Sequence, residues 1–217
     1  MLPYTFEVFS LDHIVSIIVI LFLFIIFLGY NDKIGIEDDS KTFLIVLSVL
    51  MIFLDLSEDL VRIFTGYYSI TKDLPLQLCS IGVYLAAFNL MYRNQTIFNL
   101  IFYWGFVGAT NAILTPDGDL FELRIFFFYS QGYHAALIFA VLWMMIKYDM
   151  RMDYRSILQV VIYTNIIVGL ITVVNYILDS NYMFLRVMPN SISPFLMGEW
   201  PTYIIICLLY TSDAADE

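Results

Sequence analysis

Long apolar runs alternate with short polar segments along most of the chain. A helix that crosses a membrane needs about 20 mostly apolar residues. Six runs approach or exceed that length, at residues 13–29, 43–64, 74–92, 96–114, 125–147 and 156–178, and a seventh begins at Pro201 and soon gives way to polar residues. The strict alternation of period two that marks a membrane β-barrel is absent. The pattern predicts an all-α, polytopic membrane helix bundle with six complete transmembrane helices and a truncated seventh.

Composition supports this class of protein. Hydrophobic residues make up 61% of the chain, charged residues make up 14%, and the mean hydropathy is +0.82. Such a chain is too apolar to form a water-facing surface around a single soluble core. The net charge of −10 disfavours a nucleic-acid partner, so membrane lipids are the expected surroundings. No zinc-ligand spacing or nucleotide-binding motif is present, and we expect neither a metal nor a cofactor.

The far C-terminal segment differs in character from the rest. Residues 207–217 resemble a translated sequencing-library adapter. We therefore predict a single transmembrane helical domain over residues 1–206 and a non-native tail over residues 207–217. Sequencing the natural locus across this junction tests the prediction, because an uninterrupted match through Glu217 would contradict it.

The basic residues of the short loops predict the orientation in the cell membrane, since positive charge is retained on the cytoplasmic side. With the N-terminus outside, more basic residues fall on the inner side than on the outer side. The inner set is Lys33, Lys41, Arg93, Lys147, Arg151 and Arg155, and the outer set is Arg62, Lys72, Arg124 and Arg186. We therefore expect a multi-pass protein with an extracytoplasmic N-terminus, which places most of the candidate motifs on the outer side.

The second apolar run carries four charged residues on one helical face, because Asp55, Glu58, Asp59 and Arg62 are spaced i, i+3, i+4 and i+7. Each charge costs at least about 2.5–3.5 kcal/mol at the centre of a bilayer on insertion scales, so pairing or access to water is expected. Two interpretations remain open. The face lines a polar pocket or proton site, or it forms a structural ion pair between helices.

Two further stripes of polar and small residues predict a polar interior. One lies on the fourth run and the other on the sixth, and helix packing through small residues is the alternative explanation for both. The residues are Trp104, Gly108, Asn111 and Thr115 in the first stripe, and Asn165, Gly169, Thr172 and Tyr176 in the second.

Several motifs, in order along the chain, resemble a known family, the YwaF-type bacterial integral membrane proteins. They are residues 74–79 (LPLQLC), 114–117 (LTPD), 126–130 (FFFYS), 181–185 (NYMFL) and 200–201 (WP). That family is similar to a eukaryotic transmembrane family that includes a cysteine-dependent phospholipid acyltransferase. The resemblance implies acyl transfer with Cys79 as the nucleophile.

The chain departs from the family pattern at two positions, because glutamine stands at Gln77 and Gln131 where the family usually has histidine. Glutamine cannot act as a general base. His134, one helical turn beyond Gln131, is the candidate substitute. If its helix starts near Ile125 and the Cys79 helix starts near Leu74, His134 lies about 6 Å deeper in the membrane than Cys79.

The leading functional hypothesis is an outward-facing polar cavity that handles a lipid or another amphipathic small molecule, with acyl transfer through Cys79. The competing hypothesis is a non-catalytic transporter or small-molecule receptor, linked to a proton or cation through the second-helix carboxylates. Candidate catalytic residues are Cys79, His134 and Gln131. Candidate substrate-binding residues are Gln77, Asp55, Glu58, Asp59, Arg62, Asn111, Asp117, Asn175 and Trp200.

Overall fold

The computed structural model describes residues 4–29 and 41–189, and within them it contains six principal helices and no strand. The prediction of an all-α membrane protein is confirmed. The helices are α1 (Leu11–Gly29), α2 (Lys41–Thr65), α3 (Leu78–Tyr92), α4 (Gln95–Leu114), α5 (Arg124–Lys147) and α6 (Ile157–Leu178). Short 3₁₀ turns occupy Gly118–Leu120, Tyr154–Ser156 and Tyr182–Phe184.

The prediction of six complete spans plus a truncated seventh is supported only in part. Four of the described helices, α1, α4, α5 and α6, are long and apolar enough to cross a membrane. α2 is long but carries the Asp55–Arg62 charges, and α3 has only 15 residues. α3 starts at Leu78 instead of residue 74, because Gln77 has extended backbone angles. The seventh run lies outside the described residues.

The core forms where α3, α4 and α5 pack together around Leu137. Its side chain is fully buried and lies against two glycines on neighbouring helices. A Cβ atom built on Gly82 of α3 would lie 3.3 Å from Leu137, and one built on Gly105 of α4 would lie 3.0 Å from it. The absence of side chains at these two positions therefore lets three helices approach one another closely.

Two contacts show that α3 and α5 run in the same direction with a defined register. Leu137 contacts Gly82, and the side-chain nitrogen of Asn89 lies 3.4 Å from the sulfur of Met144. In each pair the two residue numbers differ by 55, and a constant difference is what two helices that run in the same direction produce. Cys79 is consequently level with His134, and the expected depth difference of about 6 Å between them does not apply.

α4 changes its hydrogen-bonding pattern in the middle. Residues Phe102–Ala109 form a π-helical segment, in which each N–H bonds to a carbonyl five residues earlier. Such segments are rare, and they occur frequently at functional sites. This segment packs against both α3 and α5, and it contains Trp104, Gly105 and Gly108.

The polar stripe predicted on α6 does not face the protein interior. Asn165, Gly169, Thr172 and Tyr176 are exposed, while Val160, Thr164, Ile171 and Asn175 are buried. The exposed polar groups are satisfied within α6, since Asn165 donates to the Val161 carbonyl at 2.8 Å and Thr172 donates to the Val168 carbonyl at 2.7 Å. The residues of the stripe do share one helical face, but the tertiary packing buries a neighbouring face of α6 instead.

The polar stripe predicted on α4 does contribute to the interior. Trp104 is buried, and its indole N–H donates to the Thr164 hydroxyl at 3.1 Å.

Substitution of Gly105 by alanine should destabilise the fold, because the new methyl group would overlap Leu137. Overpacking of this kind costs about 1–3 kcal/mol. Gly169→Ala is the matched control, since nothing lies within 4 Å of its Cβ position and alanine favours the helix. Thermal unfolding in detergent should show a lower midpoint for Gly105→Ala and an unchanged or higher midpoint for Gly169→Ala. Equal midpoints would contradict the packing described around Leu137.

Candidate functional site

Arg62, near the end of α2, is the centre of a buried charge network. Its guanidinium group donates to Glu58 at 2.9 Å, to Glu122 at 2.8 Å and to the Leu120 carbonyl at 2.8 Å. It also lies 3.6 Å from the Asp73 carboxylate and 4.0 Å from the centre of the Phe126 ring. Glu58 belongs to α2 and Asp73 to the α2–α3 loop. Leu120 and Glu122 belong to the loop after α4, and Phe126 belongs to α5. For Glu58 and Arg62 the geometry therefore favours the structural ion-pair interpretation.

The other two carboxylates of the α2 face lie outside that network. Asp55 is only 7% exposed, and the hydroxyls of Ser80 and Tyr84 on α3 lie beside its carboxylate. Its Oδ2 atom is fully buried and has no hydrogen-bond partner among the described residues. Asp59 is partly buried, and the charges of Asp55, Asp73 and Arg62 act on it. These two carboxylates are the ones that remain available to a proton, a cation or a polar ligand.

Cys79 lies in the first turn of α3 and faces the π-helical segment of α4. Its thiol donates to the Trp104 carbonyl at a sulfur–oxygen distance of 3.7 Å, and a Cβ atom on Gly108 would lie 3.6 Å from the sulfur. The thiol is a free cysteine and is close enough to Asp55 to interact with its charge. Cys79 and Asp55 therefore belong to one polar cluster between α2, α3 and α4.

His134 is level with Cys79 but does not bond to it. Its side chain is 6% exposed, and Nδ1 lies 2.8 Å from the Ser130 carbonyl one turn earlier. Because a carbonyl only accepts, Nδ1 carries the hydrogen in this arrangement. To take up the thiol proton at that nitrogen, His134 would have to give up the bond to Ser130.

Gln131 points away from Cys79, toward α1. Its Oε1 accepts from the Ser16 hydroxyl at 3.4 Å, and its buried Nε2 has no hydrogen-bond partner among the described residues. His13, on the same face of α1 as Ser16, is fully buried and lies 2.8 Å from the Ile113 carbonyl through Nε2. Gln131 thus belongs to an α1–α5 contact on another side of α5.

Gln77 and Asn175 hold the turn that follows α6. Gln77 Oε1 accepts from the Met183 backbone N–H at 2.8 Å. Asn175 accepts from the Tyr182 N–H at 2.7 Å and donates to its carbonyl at 2.9 Å. The buried Tyr182 hydroxyl donates to the Ile70 carbonyl at 2.6 Å and accepts from Leu74 at 3.0 Å. Burial raises the pKa of Tyr182, so the hydroxyl stays neutral and able to donate.

The remaining candidates make hydrogen bonds near the end of α4 or lie outside the described residues. Asn111 Oδ1 accepts from the Thr115 hydroxyl at 2.9 Å near the end of α4. Asp117 Oδ1 accepts from the Asp119 N–H at 3.0 Å and so caps the following 3₁₀ turn. Trp200 lies outside the described residues. The structure thus brings together Asp55 and Cys79, with His134 at the same level. The candidates that instead hold other parts of the fold together are Gln77, Arg62, Asn111, Asp117 and Asn175.

Comparison of the sequence with models of known protein families shows which family the chain belongs to. The profile of the TMEM164 family matches residues 8–212, which is nearly the whole chain. The chain belongs to the TMEM164 family. No curated protein and no solved structure matches it.

One residue that sequence reasoning missed joins the polar cluster of this TMEM164-family chain. Tyr133 lies on the α5 turn preceding Leu137, and the charges of Glu58, Cys79 and Asp55 act on it. No motif singled it out, because tyrosines are numerous in this chain. Only the register of α5 against α3 places it near the thiol.

Replacing Arg62 by methionine should destabilise this TMEM164-family fold by about 3–5 kcal/mol, because it leaves buried carboxylates without their cation. The matched control is Arg124→Met, which removes a largely exposed arginine that pairs with Asp12 and should leave the stability almost unchanged. Chemical or thermal unfolding in detergent measures both. An Arg62→Met variant as stable as Arg124→Met would show that the network is not structural.

Proposed function

We propose that this TMEM164-family membrane protein handles a lipid or another amphipathic small molecule, and that it transfers an acyl chain through Cys79. One observation carries the proposal: Cys79 lies inside a cluster of polar groups within apolar helices, against a π-helical segment. The motifs around Cys79 support the same proposal, because they resemble the bacterial YwaF-type family, which is similar to a family that includes a cysteine-dependent phospholipid acyltransferase.

The proposed reaction has two balanced steps. Cys79 Sγ attacks the ester carbonyl of a lipid, the carbon–oxygen bond of the ester breaks, and the departing alcohol takes up the thiol proton. In the second step, an acceptor hydroxyl attacks the thioester, and its proton returns to the sulfur. A thiolate is the reactive form of cysteine, so a nearby group must take the thiol proton during the attack and pass it to the departing alcohol. His134 is the candidate for that role, whereas Gln77 and Gln131 cannot serve as bases.

The cluster lies at the start of α3 and reaches toward the middle of α2, α4 and α5, on the side of the end of the bundle that holds the turn after α6. The distribution of basic residues assigns this end to the outer face of the membrane. We therefore propose an outward-facing polar cavity and an extracytoplasmic N-terminus. Exposed apolar side chains on the surrounding helices would keep the acyl chains of a lipid in the hydrocarbon phase.

The test is formation of an acyl-enzyme by the full chain incubated with labelled phospholipid. Intact mass should show an adduct that hydroxylamine removes and that is absent from Cys79→Ala. The control is Cys207→Ala, which removes the other cysteine and should retain the adduct. Folded protein that forms no adduct with several phospholipid classes, or an adduct that persists in Cys79→Ala, would refute the proposal.

The second candidate function is proton- or cation-linked transport, or small-molecule reception, through the α2 carboxylates. It is favoured by the buried Asp55 Oδ2, which lacks a hydrogen-bond partner among the described residues. An ionised carboxylate in a membrane bundle requires a partner, and a bound proton or cation would supply one.

Under this second candidate, Asp55→Asn should abolish proton flux in proteoliposomes, read by an entrapped pH-sensitive dye under an imposed cation gradient. Asparagine has nearly the same shape but neither charge nor a titrating proton. Cys79→Ala is the control and should leave the flux intact. Wild-type vesicles that match protein-free vesicles would exclude ion-coupled transport under these conditions.

A further inference from the structure

Tyr133 is the α5 residue whose electrostatic contacts join Cys79 to the α2 carboxylates. Leu137 contacts Gly82, and the two helices run parallel, so the turn of α5 before Leu137 is level with the turn of α3 before Gly82. Tyr133 lies in the first of these turns and Cys79 lies in the second. The charges of Glu58, Cys79 and Asp55 all act on the tyrosine, consistent with this placement.

The hydroxyl of Tyr133 is suited to donate a hydrogen bond. Ser130 lies beside its phenol oxygen, and a neutral phenol carries one hydrogen that it can donate to an acceptor. In the same cluster, Asp55 is buried and its Oδ2 has no partner among the described residues. A buried polar atom of this kind is unfavourable unless a proton, water or ligand satisfies it.

Attack of a thiol on an ester creates a tetrahedral intermediate whose former carbonyl oxygen carries negative charge. Donors placed at that oxygen are worth much more in a dry site than in water. The neighbouring carboxyl groups can donate only when they are protonated, whereas a neutral tyrosine always carries a hydrogen. This chemistry requires a donor near Cys79 in addition to a base.

We infer that Tyr133 is a catalytic residue of the proposed acyl transfer, with its hydroxyl donating to the oxyanion that forms when Cys79 attacks the ester. The inference rests on the proposed function. The tyrosine proton stays on its own oxygen throughout, so the atoms and charges of the two steps above remain balanced.

The test compares two reactions of the same sulfur in Tyr133→Phe. The rate of acyl-adduct formation from labelled phospholipid should fall about 100-fold or more, as when one oxyanion donor is removed from other acyl-transfer enzymes. The rate of alkylation of Cys79 by iodoacetamide should not change, because that displacement occurs at a saturated carbon and forms no oxyanion. Cys207→Ala serves as the background, so that only Cys79 reacts.

Tyr163→Phe is the control, since Tyr163 is an exposed tyrosine of α6 outside the polar cluster. It should leave adduct formation within a few-fold of wild type. If Tyr133→Phe slows alkylation and acylation equally, the residue positions the thiol, and the inference is overturned. Unchanged acylation also overturns it while leaving the proposed function intact, whereas absence of an adduct in wild type removes both.

If Tyr133→Phe does not fold, a difluorotyrosine placed at position 133 keeps the hydroxyl and makes it a stronger acid. Acylation should then change in rate while alkylation stays constant. Equal rates of acylation for tyrosine and difluorotyrosine would overturn the inference.

Discussion

The buried guanidinium of Arg62 is the interaction on which one end of the bundle depends. It contacts carboxylates from three separate segments, a backbone carbonyl and an aromatic ring, and its side chain is almost completely buried. A cation in that position is stable only when all of these acceptors are in place. The network consequently connects α2 to the α2–α3 loop, to the loop after α4 and to α5. It also separates Glu58, which pairs with Arg62, from Asp55, which lies beside hydroxyls of α3.

Below this network, the contact of Leu137 with two glycines sets how the helices meet. Gly82 and Gly105 let α3 and α4 approach α5, and the contact aligns Cys79 with the Tyr133–His134 turn. The π-helical segment of α4 lies against the same thiol. The position of Cys79 relative to its possible partners is therefore a product of close packing, and each group reaches the cluster from a different helix.

The cluster combines features that suit a reaction or a bound ligand better than a purely structural core. Asp55 has a buried oxygen that no described residue satisfies, and a thiol and a tyrosine hydroxyl lie nearby. Membrane proteins tolerate such groups mainly where they serve a pathway or a site. Membership in the TMEM164 family agrees with a membrane protein, and the chemistry of the cluster is what distinguishes the two proposals.

The sequence by itself determined that this is an all-helical membrane protein, where most helices lie, and that Asp55, Glu58, Asp59 and Arg62 share one face. These properties follow from local apolarity, length and helical period. It could not show that α3 starts at Leu78, that Gln131 faces α1, or that the α6 stripe from Asn165 to Tyr176 lies on the surface. It also missed Tyr133 and placed His134 too deep relative to Cys79. Those outcomes depend on register and rotation between helices, which the tertiary structure decided through contacts such as Leu137 with Gly82, because no single helix contains both partners.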